Sequence, residues 1–138
     1  TDKMRVIGFN FNRISVEKLK NRPADLKIDT NIDILEIKEA KADILNTKDE
    51  ILSVKFSFTV KYNPDHAIIE LGGNTLVSVD EKMSKEILRD WKKKQMPKEF
   101  RNAVFNLILR KSTVKALSLE DEMNLPFHVA LPTLKLNS

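Results

Sequence analysis

The side chains best suited to chemistry are few in this sequence. Histidine occurs twice, as His66 beside the turn signal Asn63-Pro64-Asp65 and as His128 in a proline-marked C-terminal segment. Cysteine does not occur, which removes thiolate nucleophiles, disulfides and zinc-thiolate sites together. A metal site would have to join the two histidines to carboxylates from distant segments, so none is expected. Of the three glycines, Gly72-Gly73 is followed by Asn-Thr-Leu and not by the Lys-Ser pair of a phosphate loop. No G-x-S-x-G elbow presents a serine nucleophile. Glu120, Asp121 and Glu122 could hold a hard cation but read as solvated loop charge. The expectation is a non-enzymatic protein with no catalytic residue, no metal and no cofactor.

Binding chemistry is better represented. Trp91-Lys92-Lys93-Lys94, with Lys98 and Arg101 after it, could set lysines on phosphates and stack the indole on a base. Against this, Trp91 shares a helical face with Met83 and Ile87 and should pack inward. Cations near a helix C-terminus are also favoured by the helix dipole alone. A nucleic-acid or ribosome-binding domain is therefore the alternative reading, and nucleic acid is not the expected partner. Phe105 and Leu109 are the sharper feature. They lie four residues apart, off the face formed by Phe100, Ala103, Val104, Leu107 and Ile108. One apolar stripe suffices to dock a helix on a sheet, so a second stripe implies a subunit contact, a cover from the tail, or an open apolar groove.

These residues need elements to position them. The 138 residues are 41% hydrophobic and 32% charged, with a net charge of +4, which suits a single globular domain over residues 1–138. Apolar runs are too short to span a membrane, and the N-terminus runs into alternating sequence without a signal-peptide pattern. A cytoplasmic setting is expected.

Arg5–Arg13 alternates, with Ile7, Phe9 and Phe11 on one face and Val6, Gly8 and Asn10 on the other. Ile14–Asp25 turns polar around Pro23 and reads as a crossing connection. From Lys27, Ile28, Thr30, Ile32 and Ile34 share one parity, which then flips to Leu35 and Ile37. A β-bulge near Ile34-Leu35 would do this, with a helix over Ile34–Leu45 as the competing reading. Ile51–Tyr62 is the clearest strand, apolar at every even position and mostly polar between. Ala67–Val79 returns as its hairpin partner, interrupted at Gly72-Gly73 by an expected bulge or tight bend. Asp80 caps a helix over Glu81–Lys94, and Pro97 opens a second over Lys98–Lys115. Ser118–Asn124 is polar, and LPFHVALPTLKL is extended. Strands first and helices after predict an α+β fold, a four-stranded antiparallel sheet followed by two helices packed on one face.

Several phrases then resemble the SecB family of protein-export chaperones. FNFNRISVEKLKNRPADLKI is similar to that family's opening strand and crossover, and LGGNTLVSVDEKMSKEIL to its fourth strand and first helix. MPKEFRNAVFNLILRK resembles its second helix, and LPFHVALPTLKL the segment after it. The resemblance implies a homo-oligomer, dimer or tetramer, that holds unfolded polypeptide in an apolar groove. Carried over by position, the groove residues are Ile14, Val16 and Leu19 in the crossover, with Phe105 and Leu109 on the second helix. The chain departs from the family in being net basic where the family is acidic, and in lacking the cysteine of its metal-binding tail. Lys111–Asn124 also looks longer than the family's loop.

Overall fold

Alternation along Ile51–Tyr62 becomes the central strand of the molecule. The structure, a computed structural model, describes residues 4–40 and 49–134. Its strands are β1 (Met4–Lys18), β2 (Lys27–Ala40), β3 (Glu50–Asn63) and β4 (Ala67–Val79), followed by helices α1 (Glu81–Trp91) and α2 (Lys98–Glu122). The sheet is antiparallel throughout, in the order β1-β4-β3-β2. Leu52, Val54, Phe56, Phe58, Val60 and Tyr62 are all buried beneath the helices, while Lys55 and Lys61 stay exposed on the other face. Six such side chains contribute about 1.5–3 kcal/mol each relative to exposure. β3 is thus the strand on which the rest is assembled.

β1 is longer than its alternation implies, because it bulges twice. The register slips between Val6 and Gly8 and again between Phe11 and Arg13, which leaves Ile7 and Asn12 as the extra residues. The first slip pairs Val6 with Val77, whose side chain is buried, so Val6 does not lie on the face expected for it. The second slip changes parity, so Ile14 and Val16 pair with Leu71 and Ile69 and the strand continues to Lys18. Ile14–Asp25 is therefore not all connection. The true crossover is residues 19–26, which carry the chain from one edge strand to the other, about 14 Å at the usual strand spacing.

Close approach explains one glycine. A Cβ on Gly73 would overlap the Asn10 carbonyl of β1. Gly73 pairs with Phe56 on one side and Phe11 on the other; the Phe56 ring stacks with Phe9, and Phe11 meets both rings edge-on. The bulge expected near Ile34-Leu35 is present, with Leu35 left unpaired and exposed, and β2 is strand through Ala40. Residues 41–45 of the competing helix lie outside the described residues.

The helices dock by different rules. Asp80 accepts a hydrogen bond from the Met83 amide at 2.7 Å and caps α1, which lies closest to β2 and β3. It ends at Trp91, short of the expected Lys94, because Lys94 turns left-handed and Gln95 bonds back to Asp90. In α2, Phe100, Val104, Ile108, Ser112, Ala116 and Glu120 are buried at every fourth position. Each step of four turns the stripe about 40°, so it winds around a helix some 37 Å long. Winding hides the continuation from a one-face reading. Ser118–Glu122 is helix and not loop, and it closes with left-handed Asn124 and a 2.8 Å bond from the Leu125 amide to the Glu120 carbonyl. Among the described residues, no helix is long and apolar enough to cross a membrane.

Candidate functional site

Docking α2 leaves apolar surface beside the buried stripe. Leu109 is 45% exposed although Ile108 before it is fully buried. Phe105, one turn earlier on the same side, is half-buried. Val114 is exposed on a different flank of the helix. Across the sheet, Ile14 is 47% and Leu19 50% exposed. Ile14 belongs to β1 and not to the crossover, which corrects its expected position. Val16 is half-buried and packs with Leu26 against the cluster that holds Ala116 and Leu119 of α2. The end of β1, the crossover and the last third of α2 therefore share one part of the sheet.

The crossover is anchored where it begins. His66 in the β3–β4 turn is buried, its Nδ1 lies 2.7 Å from the Lys20 carbonyl, and its own carbonyl accepts from the Leu19 amide at 2.8 Å. Beside it, Lys18, Leu19, Lys20, Asn21, Arg22 and His66 line a shallow cavity of about 290 Å³. The histidine expected to be an ordinary turn residue thus fixes the start of the crossover.

The carboxylate read as solvated charge lies in the interior. Glu120 is fully buried, and its Oε2 accepts from the Tyr62 hydroxyl at 2.8 Å. His128 approaches it twice, with the backbone amide donating to Oε1 at 3.2 Å and Nδ1 lying 2.8 Å from Oε2. The Tyr62 oxygen also lies 2.6 Å from the Pro126 carbonyl, and the His128 ring stands edge-on to Phe58. Burial, the hydrogen bond to Glu120 and that residue's charge, in that order, push the Tyr62 phenol well above its ordinary range. This node is closed to solvent and holds the segment after α2 on the sheet. Two sequence signals pointed to it: Tyr62 falls in the apolar parity of β3, and Glu120 falls on the four-residue stripe of α2.

Trp91 does not offer a stacking face. Its ring is half-buried against the core of β3, β4 and both helices, and the Lys94 ammonium sits 4.5 Å from its centroid. Among the described residues, no group of three or more His, Asp or Glu is placed to hold a metal ion.

No family model and no curated protein matches this chain. A solved structure does: the SecB-like chaperone Rv1957 of Mycobacterium tuberculosis, in complex with a ChAD peptide from the Rv1956 HigA1 antitoxin. The match covers 96% of this chain and 88% of that one, at a TM-score of 0.56 and 15% identity. The fold of this chain is the SecB-like fold.

Proposed function

We propose that this chain, on its SecB-like fold, binds non-native polypeptide without catalysis, as a chaperone-like holdase. The surface that does so comprises Ile14, Val16 and Leu19 on β1 and the crossover, with Phe105 and Leu109 on α2. Leu109 carries the reading: an aliphatic side chain left 45% exposed beside a fully buried neighbour presents apolar area that packing within the subunit does not use. Exposed apolar side chains recognise unfolded chains through area and not through sequence, so clients would be many. Rv1957 is solved holding a peptide, which supports the same reading. The working form is a homo-oligomer, dimer or tetramer, in the cytoplasm, and protein export is one setting for such holding. No cofactor takes part.

Aggregation of a chemically unfolded client, followed by light scattering, tests this directly. Wild-type protein should suppress it at near-stoichiometric ratio, and the Phe105→Asp/Leu109→Asp double variant should not. Circular dichroism must show that variant still folded. Equal suppression by both, or none by wild type, would overturn the reading.

A further inference from the structure

Among the described residues, cations without an ion-pair partner lie close in sequence to these apolar side chains. From Arg101 to Ser118, α2 carries Arg101, Arg110, Lys111 and Lys115 and no carboxylate. Arg101, Phe105 and Leu109 follow one another at four-residue steps, which sets a guanidinium at the head of the apolar stripe. At the crossover, Leu19 stands between Lys18 and Lys20, with Arg22 completing the rim of the same cavity. Glu17, Asp25 and Asp65 are the carboxylates nearest in sequence to that cavity, and all three are exposed. Among the described residues, none of the seven cations named here lies within ion-pair distance of a carboxylate, whereas Arg13, Lys38, Lys85 and Arg89 each do. His66 fixes the crossover backbone, so the Lys18-Leu19-Lys20 triplet is presented on an anchored segment and not on a free loop.

Apolar side chains flanked by cations with no internal partner select a particular ligand chemistry. We propose that the polypeptide held here is recognised through acidic-apolar segments, in which an aliphatic or aromatic residue is flanked by aspartate or glutamate. The apolar residue covers Leu19 or the Phe105-Leu109 stripe, and its neighbours meet Lys18, Lys20 and Arg22 at one end or Arg101 at the other. This rests on the polypeptide-binding reading above and names the class of client it takes. Basic segments are disfavoured by the same field, since like charge beside an apolar contact costs affinity.

Three fluorescent peptides with one apolar centre, flanked by glutamate, by serine or by lysine, separate the two readings. Fluorescence anisotropy should rank them glutamate, serine, lysine. A difference of about tenfold between the first and last at low salt is expected for a few exposed pairs, shrinking as salt rises. The Lys18→Glu/Lys20→Glu/Arg22→Glu variant should reverse the ranking, binding the lysine peptide more tightly than the glutamate peptide. A single-stranded RNA oligomer serves as a fourth probe, and the glutamate peptide should outcompete it. Equal binding of all three peptides overturns this inference and leaves polypeptide binding standing. Binding of none overturns both. Tighter binding of the RNA, with displacement of the glutamate peptide, overturns it in favour of a nucleic-acid surface.

Discussion

Tyr62 on β3 and Glu120 on α2 meet through a 2.8 Å hydrogen bond at a site closed to solvent, 58 positions apart in the chain. Removing the hydroxyl leaves Glu120 without one of its donors in a place water does not reach. Tyr62→Phe should therefore cost about 1–3 kcal/mol of unfolding free energy, read from urea denaturation at neutral pH. A loss below about 0.5 kcal/mol would mean that the carboxylate finds another donor.

The same residue makes alkaline stability predictable in sign. Unfolded, Tyr62 loses its proton near its ordinary value of about 10. Folded, it keeps that proton to higher pH, so its contribution is fully present below pH 10 and is lost as pH rises above it. One such group gives a slope of about 1.4 kcal/mol per pH unit. Tyr62 is the only tyrosine, so the Tyr62→Phe variant should lack that slope while sharing every lysine titration. Parallel curves for the two proteins between pH 9 and 11 would refute the assignment.

His128 holds the segment after α2 through the same carboxylate. His128→Ala should destabilise by about 1–3 kcal/mol and loosen that segment first. Hydrogen exchange should rise over residues 125–134 before it rises in β3. If exchange rises uniformly, the segment and the sheet unfold as one unit and the node is not a latch.

Much of the fold was legible because β3, β4 and α1 obey a single period each. Leu52 through Tyr62 alternate cleanly, and Met83, Ile87, Leu88 and Trp91 gather on one helical side, so their burial follows from spacing. Misreadings fell where the period slips. The extra residue Asn12 moved Ile14 and Val16 onto the covered face and disguised the end of β1 as connection. In α2 the stripe winds, and a buried glutamate at its end looks like solvent-facing charge until Tyr62 is placed opposite it. Of the candidate site, the exposure of Leu109 was legible as apolar surface in excess of what docking uses. The His66 anchor was not, because a backbone carbonyl from a segment 46 positions away leaves no mark in sequence.

Gly73 and Gly8 separate tight backbone approach from mere absence of a side chain. A Cβ at Gly73 would run into the Asn10 carbonyl, which is backbone of β1 held in register against β4 and not the far end of a flexible side chain. At Gly8 it would meet only the Leu76 side chain, at ordinary contact distances of 3.6 Å and beyond. Gly73→Ala should cost at least the roughly 1–3 kcal/mol of an overpacked core, and Gly8→Ala should stay within about 0.5 kcal/mol of wild type. Similar melting points for the two variants would show that β1 can shift.

Ile108 and Leu109 are adjacent and chemically alike, yet they should fail in opposite ways. Ile108 is fully buried under α2, so Ile108→Ala removes packed volume and should cost about 2–5 kcal/mol. Leu109 projects beside it and is 45% exposed, so Leu109→Ser should cost only about 1 kcal/mol, well below the loss at Ile108. In a client-aggregation assay run well below either melting temperature, the order should invert: the serine variant loses suppression and the alanine variant keeps it. That inversion cannot come from stability, because the less stable protein is the more active one. If Leu109→Ser proves as destabilising as Ile108→Ala, its side chain is buried in the assembled oligomer, and the surface on α2 is a subunit contact.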